Sequence, residues 1–248
     1  MQRVVVDPAQ IQTDQLTLTA EQRHYLQRVL RLQAGDRFLA LDGQGHLWQA
    51  VLQLDARSAK LIEVTPEVST ATFTRSRITL AASLPKQGFD DVVRQVTELG
   101  VDEIVPLMSD RTLPRPSANK LQRWRRIAAE AGEQCERLTV PVVREPLAWS
   151  SWIAQESQDV RLICVARRSA PTLLSVGLAS PLPTVEIAIG PEGGWTESEV
   201  NQALAQGYQP VSLGSSILRA VTASVVAIGI LQAGIEFATI KLPSDTLL

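Results

Sequence analysis

Two glycine-containing stretches in the last third of the chain hold the residues best suited to chemistry. The first, VEIAIGPEGGWTESEV (185–200), is an apolar run that breaks into glycines around the carboxylate of Glu192. Glycines let a ligand lie against bare main chain. Thr196 and Glu199 form a capping box for a following helix, which gives Glu197 and Glu199 structural roles but not Glu192. Glu192 is therefore a candidate ligand-facing group, with a solvated loop carboxylate as the alternative.

The second stretch, LGSSILRAVTASVVAIGILQAG (213–234), is a glycine loop followed by an almost wholly apolar helix. Such a helix is expected to be buried on most sides, in a core or a subunit interface. Arg219 stands near its start, where a cation opposes the helix dipole and needs a partner if it is buried. A structural partner would explain Arg219, but a functional role is the stronger interpretation.

Several kinds of site are excluded by what these stretches lack. Neither carries the spacing of a P-loop or of a dinucleotide-binding glycine fingerprint, and a loop carboxylate would repel a pyrophosphate. The ligand is therefore expected to be cationic or neutral. Cysteine and histidine are too scarce for a disulfide framework or a zinc site, so no metal is expected; they are Cys135, Cys164, His24 and His46.

Composition describes an ordinary globular protein with an uneven charge distribution. The 248 residues are 45% apolar and 20% charged, which is enough for one large domain or two smaller ones. No signal peptide and no run long enough to cross a bilayer are apparent, so we expect a cytoplasmic protein without membrane contact. A net charge of −2 argues against a generic nucleic-acid binder. The basic block KLQRWRR (120–126) could still grip phosphates, or be a solvated helix face.

The pattern of elements changes about 70 residues into the chain. Before that point we predict a small β-barrel with one helix over EQRHYLQRVLRLQ, begun by the capping box of Thr19 and Gln22 and ended at Gly35. The helix would place Val29 on its apolar face with the arginines opposite. A polar linker is predicted over 69–77. From about residue 76, strands alternate with helices, which predicts an α/β domain with a largely parallel sheet.

In such a sheet, ligands bind beyond the carboxyl ends of the strands. Three predicted strand ends are informative here: ICVARRS, IAIGPEGGW and VSLGSSILR.

Together these motifs resemble the SPOUT enzymes, which are knotted methyltransferases, and most closely the RsmE-type bacterial 16S rRNA uridine-N3 methyltransferases. The resemblance covers nearly the whole chain and rests on segments in the family order: HYLQRVLRLQAGD, DGQG, TELGVDEIVPLMSDRT, AEAGEQCERLTVP, IGPEGGWTESEV and LGSSILRAVTA.

The resemblance implies a PUA-like β-barrel RNA-binding domain over 1–72 and a SPOUT α/β domain with a deep trefoil knot over 73–248. It also implies a homodimer through the knotted domain, S-adenosylmethionine as the methyl donor, and 16S rRNA within the 30S subunit as the partner. The cofactor-binding residues carried over are Val165, Ala166, Ile189, Gly190, Gly193, Gly194, Leu213, Gly214, Ile217 and Leu218.

The reaction that the resemblance implies suggests roles for the two charged residues. Uridine N3 becomes a good nucleophile once it loses its proton, which leaves negative charge on the flanking carbonyl oxygens. Arg219 is the predicted cation near those oxygens, and Glu192 the predicted route for the proton. The RNA contacts are expected from nine cations, which are Arg23, Arg28, Arg31, Lys86, Arg111, Lys120, Arg123, Arg125 and Arg126.

Some positions depart from the common family pattern, and they keep two alternatives open. Ser215-Ser216 replace a usual proline and basic residue, Ala220-Val221 replace Thr-Glu, and Gln87 and Gln95 stand in less usual places. The missing glutamate argues against a mechanism that needs a carboxylate at that helix position. The alternatives are an inactive rRNA-binding assembly factor and a knotted methyltransferase for another RNA position.

Overall fold

The computed structural model of the chain describes residues 1–55, 57–63, 76–112, 115–155, 160–166, 168–179 and 184–239. It divides into two units, one formed by 1–71 with 129–140 and the other by 72–128 with 141–248. The predicted linker 69–77 falls largely outside the described residues.

The first unit is built on a six-stranded sheet with the order β1-β4-β5-β6-β3-β2. Three of these strands precede the helix of the unit and three follow it. Leu16, Leu26 and Phe38 lie fully buried in its apolar core. The strands are β1 (Arg3–Val5), β2 (Ile11–Gln12), β3 (Gln15–Thr17), β4 (Arg37–Leu41), β5 (Leu47–Leu52) and β6 (Ser58–Glu63).

The helix of this unit begins as predicted but ends early. Thr19 and Gln22 form the expected capping box at the start of α1 (Ala20–His24). The chain then widens into a π-helical turn over Tyr25–Val29, and the helical region ends at Leu30. The prediction that Gly35 ends the helix is therefore wrong. The wider turn also shifts the register, so that Val29, predicted on the apolar face, is 60% exposed.

The DGQG motif contacts the end of the AEAGEQCERLTVP motif inside the first unit. Gly43, from DGQG, accepts a hydrogen bond from the Val140 N–H at 2.9 Å, and the Gly45 N–H donates to the Leu138 carbonyl at 3.1 Å. A Cβ on Gly43 would lie 3.1 Å from a Val140 methyl group. These contacts explain why residues 129–140 belong to this unit, and they give both motifs a structural role.

The second unit carries the predicted parallel sheet, with the order β10-β8-β7-β12-β11-β13 and β9 also paired to β8. All of its named strand pairs are parallel. The strands are β7 (Arg77–Ser83), β8 (Glu103–Met108), β9 (Val142–Val143), β10 (Leu147–Ala148), β11 (Val160–Cys164), β12 (Thr184–Ile189) and β13 (Gln209–Val211).

Helices pack against this sheet and against one another. They are α2 (Phe89–Glu98), α3 (Ala118–Gln134, of which 129–134 belong to the first unit), α4 (Trp149–Ile153), α5 (Leu173–Ala179), α6 (Glu197–Ala205) and α7 (Ala220–Thr239). By length and composition, Ala220–Phe237 of α7 could cross a membrane, with a mean hydropathy of 1.7. The helix packs on α2, α5, β7 and β12, with 44% of this window buried within the chain.

A buried ion pair joins β11 to β12. Arg161 Nε lies 2.9 Å from a carboxylate oxygen of Glu186, and both side chains are about nine-tenths buried. The same guanidinium donates to the Tyr208 hydroxyl at 3.0 Å and to the Ile153 carbonyl at 3.2 Å. Burial and the neighbouring Glu186 carboxylate raise the pKa of Tyr208, so the hydroxyl stays protonated. This network fixes the two strands that lead into the candidate site.

Candidate active site

A cavity of about 670 Å³ opens at the carboxyl ends of β11, β12 and β13. These strands are neighbours in the sheet, in the order β12-β11-β13, so the loops that follow them lie side by side. All ten residues predicted to bind a cofactor line this one cavity. Its volume falls within the range of about 300–1,000 Å³ that is typical of small-molecule sites.

Trp195 shapes the loop that follows β12. Its indole N–H donates to the Cys164 carbonyl at 3.1 Å, which ties this loop to the end of β11. The ring also packs against Trp149, with centroids 4.4 Å apart. A Cβ on Gly190 would lie 3.0 Å from the Trp195 ring. Glycine at 190 is therefore required by the close approach of the indole.

A buried carboxylate holds the loop after β8 against the glycine loop. Glu199, only 2% exposed, accepts the Asp110 N–H at 2.9 Å with one oxygen. Its other oxygen accepts the Thr196 N–H at 2.7 Å, which completes the predicted capping box of α6. Glu199 thus has the expected structural role and a second one, because it joins two loops that are 89 residues apart.

Arg111, on the cavity wall, also connects the loop after β8 to the glycine loop. Its guanidinium donates to the Gly193 carbonyl at 2.6 Å, and its Cδ lies 3.2 Å from where a Cβ on Gly193 would stand. Arg111 is one of the predicted RNA contacts. Its guanidinium is engaged with the glycine loop, an arrangement that no local pattern could have indicated.

The loop after β13 forms the opposite wall. The Ser212 hydroxyl accepts the Gly214 N–H at 3.2 Å, and Gly214 has φ +128°, a conformation that favours glycine. Ser215 and Ser216, which depart from the family pattern, are exposed cavity residues. Val221 is not a lining residue; its side chain packs 3.1 Å from the Cβ position of Gly88. A carboxylate at 221 would therefore replace an apolar packing contact.

Arg219 and Glu192 both line the cavity and are exposed. Arg219 directly precedes α7, and its carbonyl accepts the Ala223 N–H at 2.8 Å. Among the described residues, its guanidinium has no hydrogen-bond or ion-pair partner, so the structural explanation for Arg219 finds no support. Burial raises the pKa of Cys164 to about 12, which keeps this cavity thiol protonated and unreactive.

The nine predicted RNA contacts fall into three groups. Four are engaged: Arg111 as above, Arg123 with Asp90 at 2.8 Å, Arg125 with Glu145 at 3.4 Å, and Lys120 over the Trp124 ring. Arg23 reaches the Thr19 carbonyl of its own helix at 3.4 Å, and Arg126 is exposed on α3. The remaining three are exposed and have no side-chain partner in the described part of the chain, namely Arg28, Arg31 and Lys86.

The cavity suits S-adenosylmethionine, which has an adenosine to hold and a positively charged sulfur to tolerate. The glycine loop and apolar residues such as Leu213 and Leu218 offer main-chain groups and apolar walls. Across residues 1–239, with the gaps given above, no group of three potential ligands could hold a metal ion.

Comparison with known proteins gives consistent matches over the whole chain. A family model described as an RNA methyltransferase domain matches residues 73–232, and one described as an RNA methyltransferase PUA domain matches residues 18–64. A protein from Synechocystis sp. named ribosomal RNA small subunit methyltransferase E is 46% identical over 239 residues, covering 94% of this chain and 78% of that protein.

A solved structure also matches. The ribosomal RNA small subunit methyltransferase E from Neisseria gonorrhoeae, bound to S-adenosyl methionine, is 30% identical, with a TM-score of 0.81. The match covers 94% of this chain and 97% of that one. The α/β architecture with a PUA-like N-terminal unit is thereby confirmed, and the chain belongs to the ribosomal RNA small subunit methyltransferase E family.

Proposed function

We propose that this protein transfers a methyl group from S-adenosylmethionine to N3 of one uridine in 16S rRNA, acting on the assembled 30S subunit in the cytoplasm. The observation that carries the proposal is the convergence of three strand-end loops, with all ten predicted cofactor residues, on one cavity. The S-adenosylmethionine-bound relative with the same fold supports the choice of cofactor.

Cofactor binding would use the backbone of the glycine loop and the apolar residues beside it. Val165 and Ala166 would form one wall, and Ile217 and Leu218 another. When bound, S-adenosylmethionine supplies a methyl group on a positively charged sulfur, which becomes a neutral thioether once the methyl carbon is bonded to N3. Trp195 and Glu199 would keep the loops in place before the cofactor arrives, so that little ordering accompanies binding.

Arg219 would stabilise the uridine after N3 has lost its proton. The negative charge then rests on the carbonyl oxygens next to N3, and a guanidinium is a strong donor to such oxygens. Arg219 is available for this role because none of the described residues occupies its side chain.

Glu192 would receive the N3 proton. It lies on the same cavity as Arg219 and is exposed, so it can pass the proton on to water. Positioning of the base against the methyl group would supply much of the remaining acceleration.

RNA binding would fall to the domain over 1–72 and to the basic residues of α3, with catalysis in the domain over 73–248. A family model for an RNA methyltransferase PUA domain supports the first assignment. Phosphate contacts weaken as salt rises, so neutralising the contacting cations would flatten the salt dependence of binding.

The protein would act as a homodimer through its knotted domain. The apolar helix α7 supports this, because only 44% of the Ala220–Phe237 window is buried within one chain and Phe237 is 63% exposed. A sedimentation mass of one chain at micromolar concentration would count against the dimer.

The test uses 30S subunits from a strain that lacks this activity, mixed with the protein and methyl-labelled S-adenosylmethionine. The rRNA is digested, and the labelled nucleoside is identified by mass spectrometry. Label in 3-methyluridine is the expected result. Label in another nucleoside would favour a methyltransferase for another position, and RNA binding without label would favour the inactive assembly factor.

A further inference from the structure

Arg31 has a backbone conformation that arginine rarely adopts. Its φ is +59°, in the left-handed region, directly after the π-helical turn. The Leu32 N–H donates to the Leu26 carbonyl at 2.9 Å, so the chain reverses direction at Arg31. Helices commonly end this way, but the residue at the reversal is usually glycine, because a Cβ is strained there.

The packing around Arg31 explains its backbone conformation but not why its side chain is that of an arginine. Leu30 and Leu32 on either side pack against the core of the first unit, which fixes the backbone between them. The Arg31 side chain is exposed and has no partner within the described residues, and the same holds for Arg28. The fold therefore needs a reversal at 31, which glycine would make with less strain.

Two other arginines of the first unit show what a structural arginine looks like here. Arg3 pairs with Glu136 at 3.0 Å and also donates to its carbonyl. Arg37 donates to Gln49 at 3.3 Å. Arg31 has neither kind of contact, although a Cβ is strained at its position.

We propose that Arg31, assisted by Arg28, binds a backbone phosphate of the ribosomal RNA, and that this contact is why an arginine occupies a glycine position. The inference rests on the proposed function, since it names the group by which the first unit holds its RNA substrate. A residue whose backbone conformation is unusual for its type is expected at a functional site. The positive charge of an exposed arginine binds a phosphate by displacing a condensed counterion, a contribution that lysine can also make.

Three variants separate charge from strain. Arg31→Gly removes both, Arg31→Ala removes the charge and keeps the strain, and Arg31→Lys keeps both charge and strain. Thr13 has φ +56° in the turn between β2 and β3, so Thr13→Gly relieves similar strain elsewhere on the same unit as a control.

Two quantities are measured for each variant: the thermal unfolding midpoint and the affinity for 30S subunits over a range of salt. Arg31→Gly and Thr13→Gly should each raise the midpoint by roughly 2–4 °C. Arg31→Gly and Arg31→Ala should both weaken binding by roughly three- to tenfold at low salt and flatten the slope of log K against log salt by roughly 0.7–0.9. Arg31→Lys and Thr13→Gly should bind like the parent protein.

Unchanged affinity and slope in Arg31→Gly and Arg31→Ala would overturn the proposal. So would a loss of binding in Arg31→Lys equal to that in Arg31→Ala, because charge would then not be the cause. Binding is measured apart from methyl transfer. Arg31-dependent binding without methyl transfer would therefore contradict only the proposed reaction, whereas normal methyl transfer with unchanged binding in the variants would contradict only the role of Arg31.

Discussion

Replacement of Glu199 by alanine should destabilise the second unit and loosen the cofactor cavity. The carboxylate accepts the backbone N–H groups of Asp110 and Thr196, at 2.9 and 2.7 Å, in a site where it is only 2% exposed. Leaving a buried donor without an acceptor costs about 1–3 kcal/mol. Two such donors predict a loss of roughly 2–6 kcal/mol in the free energy of unfolding.

The same variant should bind S-adenosylmethionine more weakly. Glu199 holds the segment that carries Arg111, and Arg111 in turn holds the Gly193 carbonyl of the glycine loop at 2.6 Å. Without the carboxylate, part of the binding free energy would be spent on ordering these two loops. Titration calorimetry with S-adenosylmethionine measures the loss, and urea unfolding measures the stability.

Glu197→Ala is the matched control, since Glu197 lies in the same first turn of α6. Its side chain is 81% exposed and forms a long ion pair of 3.8 Å with Arg168. Because exposed ion pairs contribute little, its removal should change the free energy of unfolding by less than about 0.5 kcal/mol. If Glu199→Ala unfolds at the same urea concentration as Glu197→Ala, the two backbone hydrogen bonds do not hold the loops, and the reasoning fails.

Three further variants test the remaining groups. Arg219→Ala should keep S-adenosylmethionine affinity and lose at least about 100-fold in single-turnover methyl transfer, the scale for a lost donor to a developing anion; an unchanged rate would remove Arg219 from the mechanism. Glu192→Gln should slow transfer most at low pH, because hydroxide removes the N3 proton at high pH, and a rate equal to the parent's at every pH would place proton removal elsewhere. Burial raises the pKa of Glu133 to about 7, so its folded form binds a proton that the unfolded form releases above its ordinary pKa of 4.5. Stability should therefore fall as pH rises from about 4.5 to 7, and Glu133→Gln should lessen that fall in urea midpoints; parallel curves for the two proteins would contradict the assignment.

Local patterns predicted those parts of the structure that local interactions determine. The capping boxes at Thr19 and Thr196 form as the spacing indicates, because both partners lie within one helical turn. The strand-end rule singled out the segments after β11, β12 and β13, which surround one cavity because parallel neighbours end at the same edge of the sheet. The individual cofactor residues were carried over from the family resemblance.

The features that local patterns could not predict depend on contacts between distant segments. The helix that was expected to run to Gly35 ends at Leu30, where the packing of Leu30 and Leu32 on the core reverses the chain. The contact of Arg111 with Gly193 spans 82 residues. The hydrogen bond from Val140 to Gly43 likewise brings the segment after α3 to the first unit. Neither leaves a periodic trace in the sequence.

The loops after β11, β12 and β13 are expected to hold S-adenosylmethionine beside Arg219 and Glu192. A crystal structure of the protein with S-adenosylmethionine tests this arrangement. The ligand should lie in this cavity, against Val165, Gly190, Gly193 and Leu218, with its methyl group on the side of Arg219. Ligand bound elsewhere on the chain, or in this cavity with its methyl group facing away from Arg219, would refute the proposed site.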